Sequence, residues 1–153
     1  MANVYILMGS KSDMPHVDNI TSALDKLGLS FEVRIASAHK TPARLLEVIA
    51  EIEAQPEAKV YISVAGRSNA LSGMLDANVL APVIACPPPS NSFAGADIFS
   101  SLRMPSGVAP AVVLEPANAA LFAAKVLGKR EVVAQLQEAN RQTLYDADAS
   151  LER

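Results

Sequence analysis

Apolar stretches recur along the chain at intervals that suit the buried strands of a sheet. Four of them are almost continuously apolar, at residues 4–7, 60–64, 83–85 and 111–114, and residues 31–36 form a fifth, apolar-rich stretch. Short apolar runs of this kind are typical of strands that are covered on both faces, as in a parallel sheet. The pattern therefore predicts a parallel sheet with helices packed on its two faces.

The segments between these strands have the period of amphipathic helices. Gly28 follows the first helix as its C′ residue. The apolar face of this helix consists of Val17, Ile20, Leu24 and Leu27. The second helix has Thr41 as its N-cap and Pro42 at its first helical position. Its apolar face consists of Leu45, Ile49 and Ile52. The alternation of strands and helices predicts a three-layer αβα sandwich with right-handed crossovers.

Two further helices are predicted near the end of the chain. Residues 117–127 form a helix of small residues that ends at Gly128, and its alanines predict close packing. Residues 129–149 form an extra C-terminal helix after a complete sheet. Its apolar side consists of Val132, Val133, Leu136 and Leu144. We predict that both helices present surfaces that a monomer would leave apolar, and that the last helix lies at a subunit interface.

A proline-rich connection separates the fourth strand from the fifth. Between residues 87 and 110 the chain carries five prolines, with a short helix predicted near residues 97–102. Long connections of this kind are usually functional. Because there is no internal repeat and no linker, residues 1–153 are predicted to form a single domain with its core at about residues 3–128.

Composition narrows the class of protein. Half of the 153 residues are hydrophobic and 19% are charged, which fits a globular domain with a substantial core. The net charge of −3 gives no support for a nucleic-acid or membrane partner. The lone cysteine, Cys86, excludes an intramolecular disulfide and a zinc site built from cysteines. Without a secretory signal or an 18-residue apolar run, the sequence predicts a cytoplasmic protein.

Polar clusters follow three of the predicted strands, at residues 8–13, 37–42 and 66–69. In parallel α/β sheets, ligands bind outside the carboxyl ends of the strands, close to a topological switch point. We therefore predict that the three clusters form a single site for an anionic small molecule. A histidine and a lysine side by side in the second cluster indicate an enzyme.

The first cluster has the residues of a phosphate cradle. Gly9 allows the backbone to approach an anion, Ser10 and Ser12 supply hydroxyls, and the following helix offers free N–H groups. The alternative is a tight turn in which Asp13 or Ser12 only caps the helix. The spacing matches neither G-x-G-x-x-G nor the Walker A motif, so neither a dinucleotide nor a nucleoside triphosphate is indicated.

His39 is the candidate acid–base group, because imidazole exchanges a proton near neutral pH. The alternative is a histidine that is merely hydrogen-bonded in a loop, but the position beside Ser37 and Lys40 favours catalysis. His16 has no polar company in the sequence and is predicted to be exposed. Two histidines in such different settings, without metal-ligand spacing, argue against a metal site.

The third cluster and a later arginine allow two interpretations each. Arg67, Ser68 and Asn69 either bind substrate or form a solvated turn ahead of the next helix. Arg103 either reaches an anion or pairs with a nearby acid such as Asp97.

Cys86 stands at the end of the fourth strand, directly before three prolines. We predict that it is a small buried hydrophobe rather than a nucleophile, since no second histidine lies near it in sequence. Residues 87–89 either form a rigid pocket wall, for which a cis bond is one option, or simply end the strand.

Three ordered motifs resemble those of phosphoribosylaminoimidazole carboxylase, the PurE family of purine biosynthesis. They are M-G-S-x-S-D at residues 8–13, S-A-H-[KR]-T-P at 37–42 and M-P-x-G at 104–107. The resemblance runs from about residue 4 to residue 128. It implies a flavodoxin-like αβα fold, a homo-octamer, and carboxylation of aminoimidazole ribonucleotide (AIR) at C4 to give the C4-carboxylate (CAIR). It also implies that the reaction uses no metal and no biotin.

The resemblance implies roles for the candidate residues. His39 would move the C4 proton, Asp13 would bind a ribose hydroxyl, and Gly9, Ser37, Arg67, Ser68 and Asn69 would complete the nucleotide site. The 5′-phosphate would be held by Ser10, Ser12 and Lys40. The CO2 pocket would be formed by Ser68, Asn69, Cys86 and Pro87.

Departures from the family pattern select a class. The mutase class, which rearranges the N5-carboxylated nucleotide, has A-H-L-P-G-M after the third strand, whereas this chain has Ala70 in the place of the histidine. Residues 66–69, 86–88 and 100–103 resemble the class that uses CO2 directly, which animals carry fused to a second enzyme. Lys40 supports the same class, because the mutase class typically has arginine at this position. The prediction is a CO2-using AIR carboxylase. The alternatives are the N5-carboxyaminoimidazole ribonucleotide mutase and, more remotely, a non-enzymatic nucleotide-binding or flavin-binding module.

Overall fold

The computed structural model describes residues 3–151, in which five parallel strands form one sheet with the order β2-β1-β3-β4-β5. The strands are β1 (Val4–Met8), β2 (Phe31–Ile35), β3 (Val60–Val64), β4 (Val83–Ala85) and β5 (Ala111–Val112). All five lie where apolar stretches predict them. The last is shorter than predicted, because only Ala111 and Val112 pair with β4.

Within the described residues, six α-helices and two 3-10 turns connect or follow the strands. The helices are α1 (Met14–Lys26), α2 (Pro42–Glu53), α3 (Leu71–Asp76), α4 (Phe99–Leu102), α5 (Pro116–Val126) and α6 (Arg130–Leu151). The 3-10 turns are Lys11–Asp13, which leads into α1, and Ser92–Ile98, which leads into α4. None of these helices is long and apolar enough to cross a membrane.

Side chains of the central strand β1 alternate between two cores. Val4, Ile6 and Met8 face a core that α1 and α5 close. Tyr5 and Leu7 face a second core, which α2 and α3 close on the other side of the sheet. The predicted three-layer αβα sandwich of flavodoxin-like type is therefore confirmed, and so is the extra C-terminal helix.

Gly28 ends α1 as predicted. Its φ is +65°, a conformation that glycine adopts without a steric penalty. Its N–H donates to the carbonyl of Asp25, and the N–H of Leu29 donates to the carbonyl of Leu24. This pair of bonds is a Schellman motif, which satisfies carbonyl groups at the end of a helix.

The start of α2 differs in one detail from the prediction. Thr41 occupies the N-cap position and Pro42 follows it, but the threonine hydroxyl makes no capping hydrogen bond to the helix. It instead accepts a hydrogen bond from the backbone N–H of Ser37 at 3.0 Å and donates to the Ser37 carbonyl at 3.3 Å. The hydroxyl therefore holds the turn before the helix.

The alanines of α5 pack as closely as predicted, but they are not an exposed apolar surface. They are buried against α1 and the sheet: Ala119, Ala120, Ala123 and Ala124. The prediction that a monomer would leave this face exposed is wrong, because small side chains let α5 approach its own domain. The exposed apolar side chains of α5 are Phe122 and Val126, 38% and 41% exposed.

The apolar stripe of α6 divides into two parts. Val133 is buried, and Val132 and Leu136 pack against the same core as α1. Farther along, Leu144 is 70% exposed and its neighbour Tyr145 is 65% exposed. The first turns of α6 thus complete this domain, and the later turns carry apolar side chains that residues 3–151 leave exposed.

Candidate active site

A cavity of about 610 Å³ opens at the carboxyl ends of β1, β2 and β3. In the strand order 2-1-3-4-5, β2 lies on one side of β1 and β3 on the other, so the order of the strands reverses between β1 and β3. Such a switch point is where folds of this kind bind ligands. The cavity lining includes Gly9, Ser10, Ser12 and Asp13 after β1, Ser37, His39 and Lys40 after β2, and Arg67 and Ser68 after β3. Polar clusters from three separate parts of the sequence therefore meet at one place.

The loop after β1 is organised by its own serines. Ser10 accepts a hydrogen bond from the backbone N–H of Ser12 at 3.3 Å, and the two hydroxyl oxygens lie 2.9 Å apart. Ser10, rather than Ser12 or Asp13, is thus the capping side chain of this turn. Both hydroxyls still line the cavity. Capping and binding are therefore compatible at this loop.

Asp13 lies at the junction between this loop and α1. Burial raises the pKa of its carboxyl, whereas a hydrogen bond with the Ser10 backbone and the charges of His16 and Arg67 act in the opposite direction. Asp13 lines the same cavity as Ser10 and Ser12.

The loop after β2 is a tight turn that carries His39 at its tip. The Ser37 hydroxyl accepts a hydrogen bond from the backbone N–H of Lys40 at 3.1 Å, and the backbone N–H of Thr41 donates to the Ser37 carbonyl at 3.0 Å. These bonds fix the backbone on both sides of His39. The His39 and Lys40 side chains are exposed and line the cavity.

The loop after β3 sends its side chains in different directions. Arg67 and Ser68 are exposed and line the cavity, whereas Asn69 is only 4% exposed. The Asn69 amide group donates to the Ser101 hydroxyl at 2.9 Å, and its carbonyl oxygen accepts from the backbone N–H of Ser72 at 3.2 Å. Both polar atoms of Asn69 are therefore engaged within the protein, and the structure does not bring this side chain to the cavity.

The structure also separates the other residues expected to hold CO2. Cys86 is buried and lines no part of the cavity, which agrees with its interpretation as a small buried hydrophobe. Burial, followed by the charge of Glu115, raises the pKa of its thiol to about 12. Pro87 lines a second cavity, of about 900 Å³, on the other side of the proline segment. Of the four expected residues, only Ser68 faces the first cavity.

His16 is not exposed and isolated, as its sequence context predicts. It is half-buried, and its Nε2 lies 3.4 Å from the Sγ of Cys86. Burial lowers its pKa, against smaller opposite effects from the Cys86 backbone and the charges of Asp13 and Glu115. No local pattern in the sequence indicates this contact, because it joins α1 to the end of β4.

The proline segment separates the two cavities. Pro88, Pro89 and Ser90 line both of them, so these residues form the wall that the sequence suggested. No cis peptide bond occurs within residues 3–151, so the wall is built from trans peptides. A Cβ atom at Gly66 would lie 3.4 Å from the Pro88 ring, which shows how closely the β3 loop approaches this wall.

Three polar residues that sequence reasoning missed also line the cavity: Ser90, Asn91 and Ser92. A signal for them existed, because they follow the carboxyl end of a fourth parallel strand. The prolines before them obscured that signal by suggesting a wall and nothing else. Across the described residues, no group of three histidine, cysteine, aspartate or glutamate side chains is arranged to hold a metal ion.

Comparison with known proteins decides the family. The model of the family described as AIR carboxylase matches residues 3–145. The chain belongs to the AIR carboxylase family. It is 52% identical to the phosphoribosylaminoimidazole carboxylase of Treponema denticola over 155 residues, which cover 98% of each chain. It is 56% identical to the enzyme of the same name from Archaeoglobus fulgidus, over 95% of this chain and 83% of the relative.

Solved structures agree with this assignment. A crystal structure of Treponema denticola PurE superimposes with a TM-score of 0.96 at 51% identity, and the match covers 98% of both chains.

A mouse bifunctional carboxylase and succinocarboxamide synthetase is 43% identical over 82% of this chain, which corresponds to 29% of the mouse protein. The resemblance seen in the motifs is therefore confirmed, and this chain is an enzyme of purine biosynthesis.

Proposed function

We propose that this AIR carboxylase family member carboxylates AIR at C4 with CO2, reversibly, and uses neither metal nor biotin. The observation that carries the proposal lies in the loop after β3. Ala70 stands where the mutase class has a histidine, and Ala70 lines the cavity. Among the described residues that line the cavity, His39 is the only histidine. The site thus has the imidazole needed for one proton transfer and lacks the second one of the mutase class.

The nucleotide would enter with its 5′-phosphate at the loop after β1. Ser10 and Ser12 present adjacent hydroxyls, and Lys40 brings a cation from the loop after β2. A Cβ atom at Gly9 would meet only Ala65, at an ordinary 3.6 Å, so protein packing does not by itself require glycine there. Close approach of a ligand accounts for the glycine. Asp13 would accept a hydrogen bond from a ribose hydroxyl.

The chemistry requires one base. C4 of the aminoimidazole is an enamine-type carbon, and its electron pair forms the new bond to the carbon of CO2 while one C–O double bond becomes a carboxylate. The tetrahedral C4 then carries both hydrogen and carboxylate. His39 takes that proton, and the C–H electrons restore the aromatic ring. In the reverse direction His39 returns the proton to C4 and CO2 leaves.

CO2 offers few atoms for recognition, so confinement has to hold it near C4. Ser68 is the candidate hydroxyl from the original set that faces the cavity, which Pro88 also lines. We therefore assign Ser68 to CO2. Asn69 acts by holding the loop, because both of its polar atoms are engaged by Ser101 and Ser72. Cys86 and Pro87 do not line this cavity, so we assign neither of them to CO2.

Self-association is part of the same proposal. The later turns of α6 expose Leu144 and Tyr145, and α5 exposes Phe122. We infer that these side chains belong to one apolar patch, and contiguous exposed patches usually mark interaction surfaces. We propose a homo-oligomer, with eight subunits as the family resemblance implies.

A spectrophotometric assay with each of the two candidate substrates tests the proposal. The CO2-using enzyme converts the C4-carboxylate to AIR, and AIR to the C4-carboxylate when CO2 is added. The mutase is the alternative outcome, and it would convert the N5-carboxylated nucleotide directly. The His39→Asn variant is the control for uncatalysed breakdown in both assays.

A further inference from the structure

A segment in the middle of the proline-rich connection, residues 97–101, holds the loop after β3 through hydrogen bonds. The backbone N–H of Arg67 donates to the Asp97 carboxylate at 3.0 Å. The backbone N–H of Asn69 donates to the Ser100 hydroxyl at 2.9 Å, and the Asn69 side-chain amide donates to the Ser101 hydroxyl at 2.9 Å. Three donors of one loop are therefore satisfied by three side chains of one segment.

Ser100 is at the centre of this arrangement. The Ser100 hydroxyl accepts a hydrogen bond from Asn69. It also donates its single proton, which two carbonyl oxygens share, that of Arg67 at 3.1 Å and that of Asp97 at 2.8 Å. The Ser100 hydroxyl thus contacts the backbone on both sides of Ser68, whose side chain lines the cavity. Its removal would leave backbone groups before and after Ser68 without these partners.

Arg67 needs such support because its φ is +59°. Residues other than glycine avoid this left-handed region for steric reasons. A strained backbone of this kind persists only where the surrounding structure over-determines it. Here the Asp97 carboxylate binds the N–H of Arg67, and the Ser100 hydroxyl lies beside its carbonyl oxygen. Both peptide groups of the strained residue are therefore held.

The joined segments are the ones by which the chain resembles the CO2-using class. Residues 66–69 and 100–103 carry that resemblance, and the hydrogen bonds above connect them directly. A third stretch with the same resemblance, residues 86–88, touches Gly66 through the Pro88 ring. These stretches, separate in sequence, are one connected unit in the fold.

We propose that Asp97, Ser100 and Ser101 are positioning residues for the carboxylation reaction. They hold Arg67 and Ser68 at the cavity and act through that loop rather than on the substrate. The inference rests on the proposed function, in which Ser68 holds CO2, and on the place in the nucleotide site that the family resemblance implies for Arg67. Displacement of binding groups by about an ångström is sufficient to reduce activity by up to about 10²-fold.

Matched substitutions separate this role from general stability. Asp97→Ala removes the acceptor for the Arg67 N–H, whereas Asp97→Asn keeps an oxygen in the same place. Ser100→Ala removes the central hydroxyl, whereas Ser100→Thr keeps it. Ser106→Ala, at an exposed residue outside the cavity, controls for the loss of a serine hydroxyl. Three quantities are measured: hydrogen exchange at the backbone amides of residues 67 and 69, AIR affinity by calorimetry, and kcat and KM for the C4-carboxylate.

We expect Asp97→Ala and Ser100→Ala to speed exchange at these amides and to weaken AIR binding about tenfold, with kcat/KM falling roughly 10- to 100-fold, mainly through KM. Asp97→Asn and Ser100→Thr should recover most of the loss. If the alanine variants have faster exchange but unchanged AIR affinity and KM, the segment is only structural and the inference is wrong. Unchanged exchange also overturns it. A wild-type enzyme that binds AIR but does not decarboxylate the C4-carboxylate would refute the proposed function instead. In that case hydrogen exchange and AIR affinity of the variants would still test the positioning role.

Discussion

The Sγ of Cys86 lies 3.4 Å from the Nε2 of His16, although 70 positions separate the two residues in sequence. The thiol does not form a reactive pair with this imidazole. Burial raises the pKa of Cys86 to about 12, and burial lowers the pKa of His16. At neutral pH the pair is therefore a protonated thiol beside a neutral imidazole. Its role is to pack α1 against the end of β4.

This environment of His16 predicts a pH dependence of stability. Its folded pKa lies below the ordinary value of 6.5, so the unfolded chain binds more protons near and below that pH. The free energy of unfolding should therefore decline as the pH falls below about 6.5 and level off above it. Asp13 and Glu115 face the imidazole and moderate the effect, since their charges favour its protonation.

Thermal unfolding midpoints between pH 5 and pH 8 measure this contribution. We expect the wild-type midpoint to fall more steeply than that of His16→Asn across the acidic part of this range. At pH 8 the imidazole is neutral in both the folded and the unfolded chain. The difference between the two midpoints at that pH therefore measures the loss of stability from substitution alone. Parallel curves over the whole range would show that His16 does not contribute.

The serine pair after β1 predicts a binding defect. Ser12→Ala should weaken substrate binding by about 1–3 kcal/mol, the scale of a lost hydrogen bond to a charged group. This corresponds to roughly a 5- to 150-fold rise in KM, with little change in the unfolding midpoint, because Ser10 supplies the cap of this turn. Ser106→Ala is the matched control. An unchanged KM in Ser12→Ala would mean that the loop only begins the helix.

Substitution of His39 should reduce the rate of turnover rather than the binding of substrate. General acid–base catalysis contributes about 10²–10⁴-fold, so His39→Asn should nearly abolish turnover in both directions while AIR still binds. His16→Asn is the control, since it removes the other histidine of the chain. If His39→Asn kept more than about a tenth of the wild-type rate, the loss would be far below this range and another group would have to move the proton.

The exposed apolar side chains of α5 and α6 predict self-association. Light scattering at micromolar concentration should give a mass well above 16.1 kDa, and eight subunits are expected. Leu144→Glu, in the exposed part of α6, should shift the population to smaller species, because it introduces a charge into an apolar contact. A wild-type protein of monomeric mass would contradict this part of the account.

Most of the fold follows from local patterns in the sequence. The continuous apolar runs locate all five strands, and Gly28 marks the end of α1 with the positive φ that it has in the structure. The packing of the small-residue face of α5 is the part of the fold that the sequence misjudges. Alanine positions in α5 do not reveal by themselves whether a small-residue face packs against the same domain or against a neighbour.

The candidate site is predictable only in part, because local sequence does not show which distant residues a side chain contacts. Residues at the carboxyl ends of parallel strands have to meet, so His39, Ser12 and Ser68 are found from the sequence. The direction of a side chain within a loop depends on long-range partners. Asn69 turns inward because Ser101, 32 positions later, supplies its acceptor. Neither spacing nor residue type indicates such a contact.

The fate of the N5-carboxylated nucleotide under a CO2-depleting trap tests the central claim most directly. A mutase keeps the released CO2 in its site, so a trap in solution does not prevent formation of the C4-carboxylate. An enzyme that uses dissolved CO2 receives only AIR from spontaneous breakdown of that compound. With the trap present, we predict no conversion beyond the His39→Asn background, and normal decarboxylation of the C4-carboxylate by the same preparation. Efficient conversion of the N5-carboxylated nucleotide with the trap present would contradict the assignment to CO2.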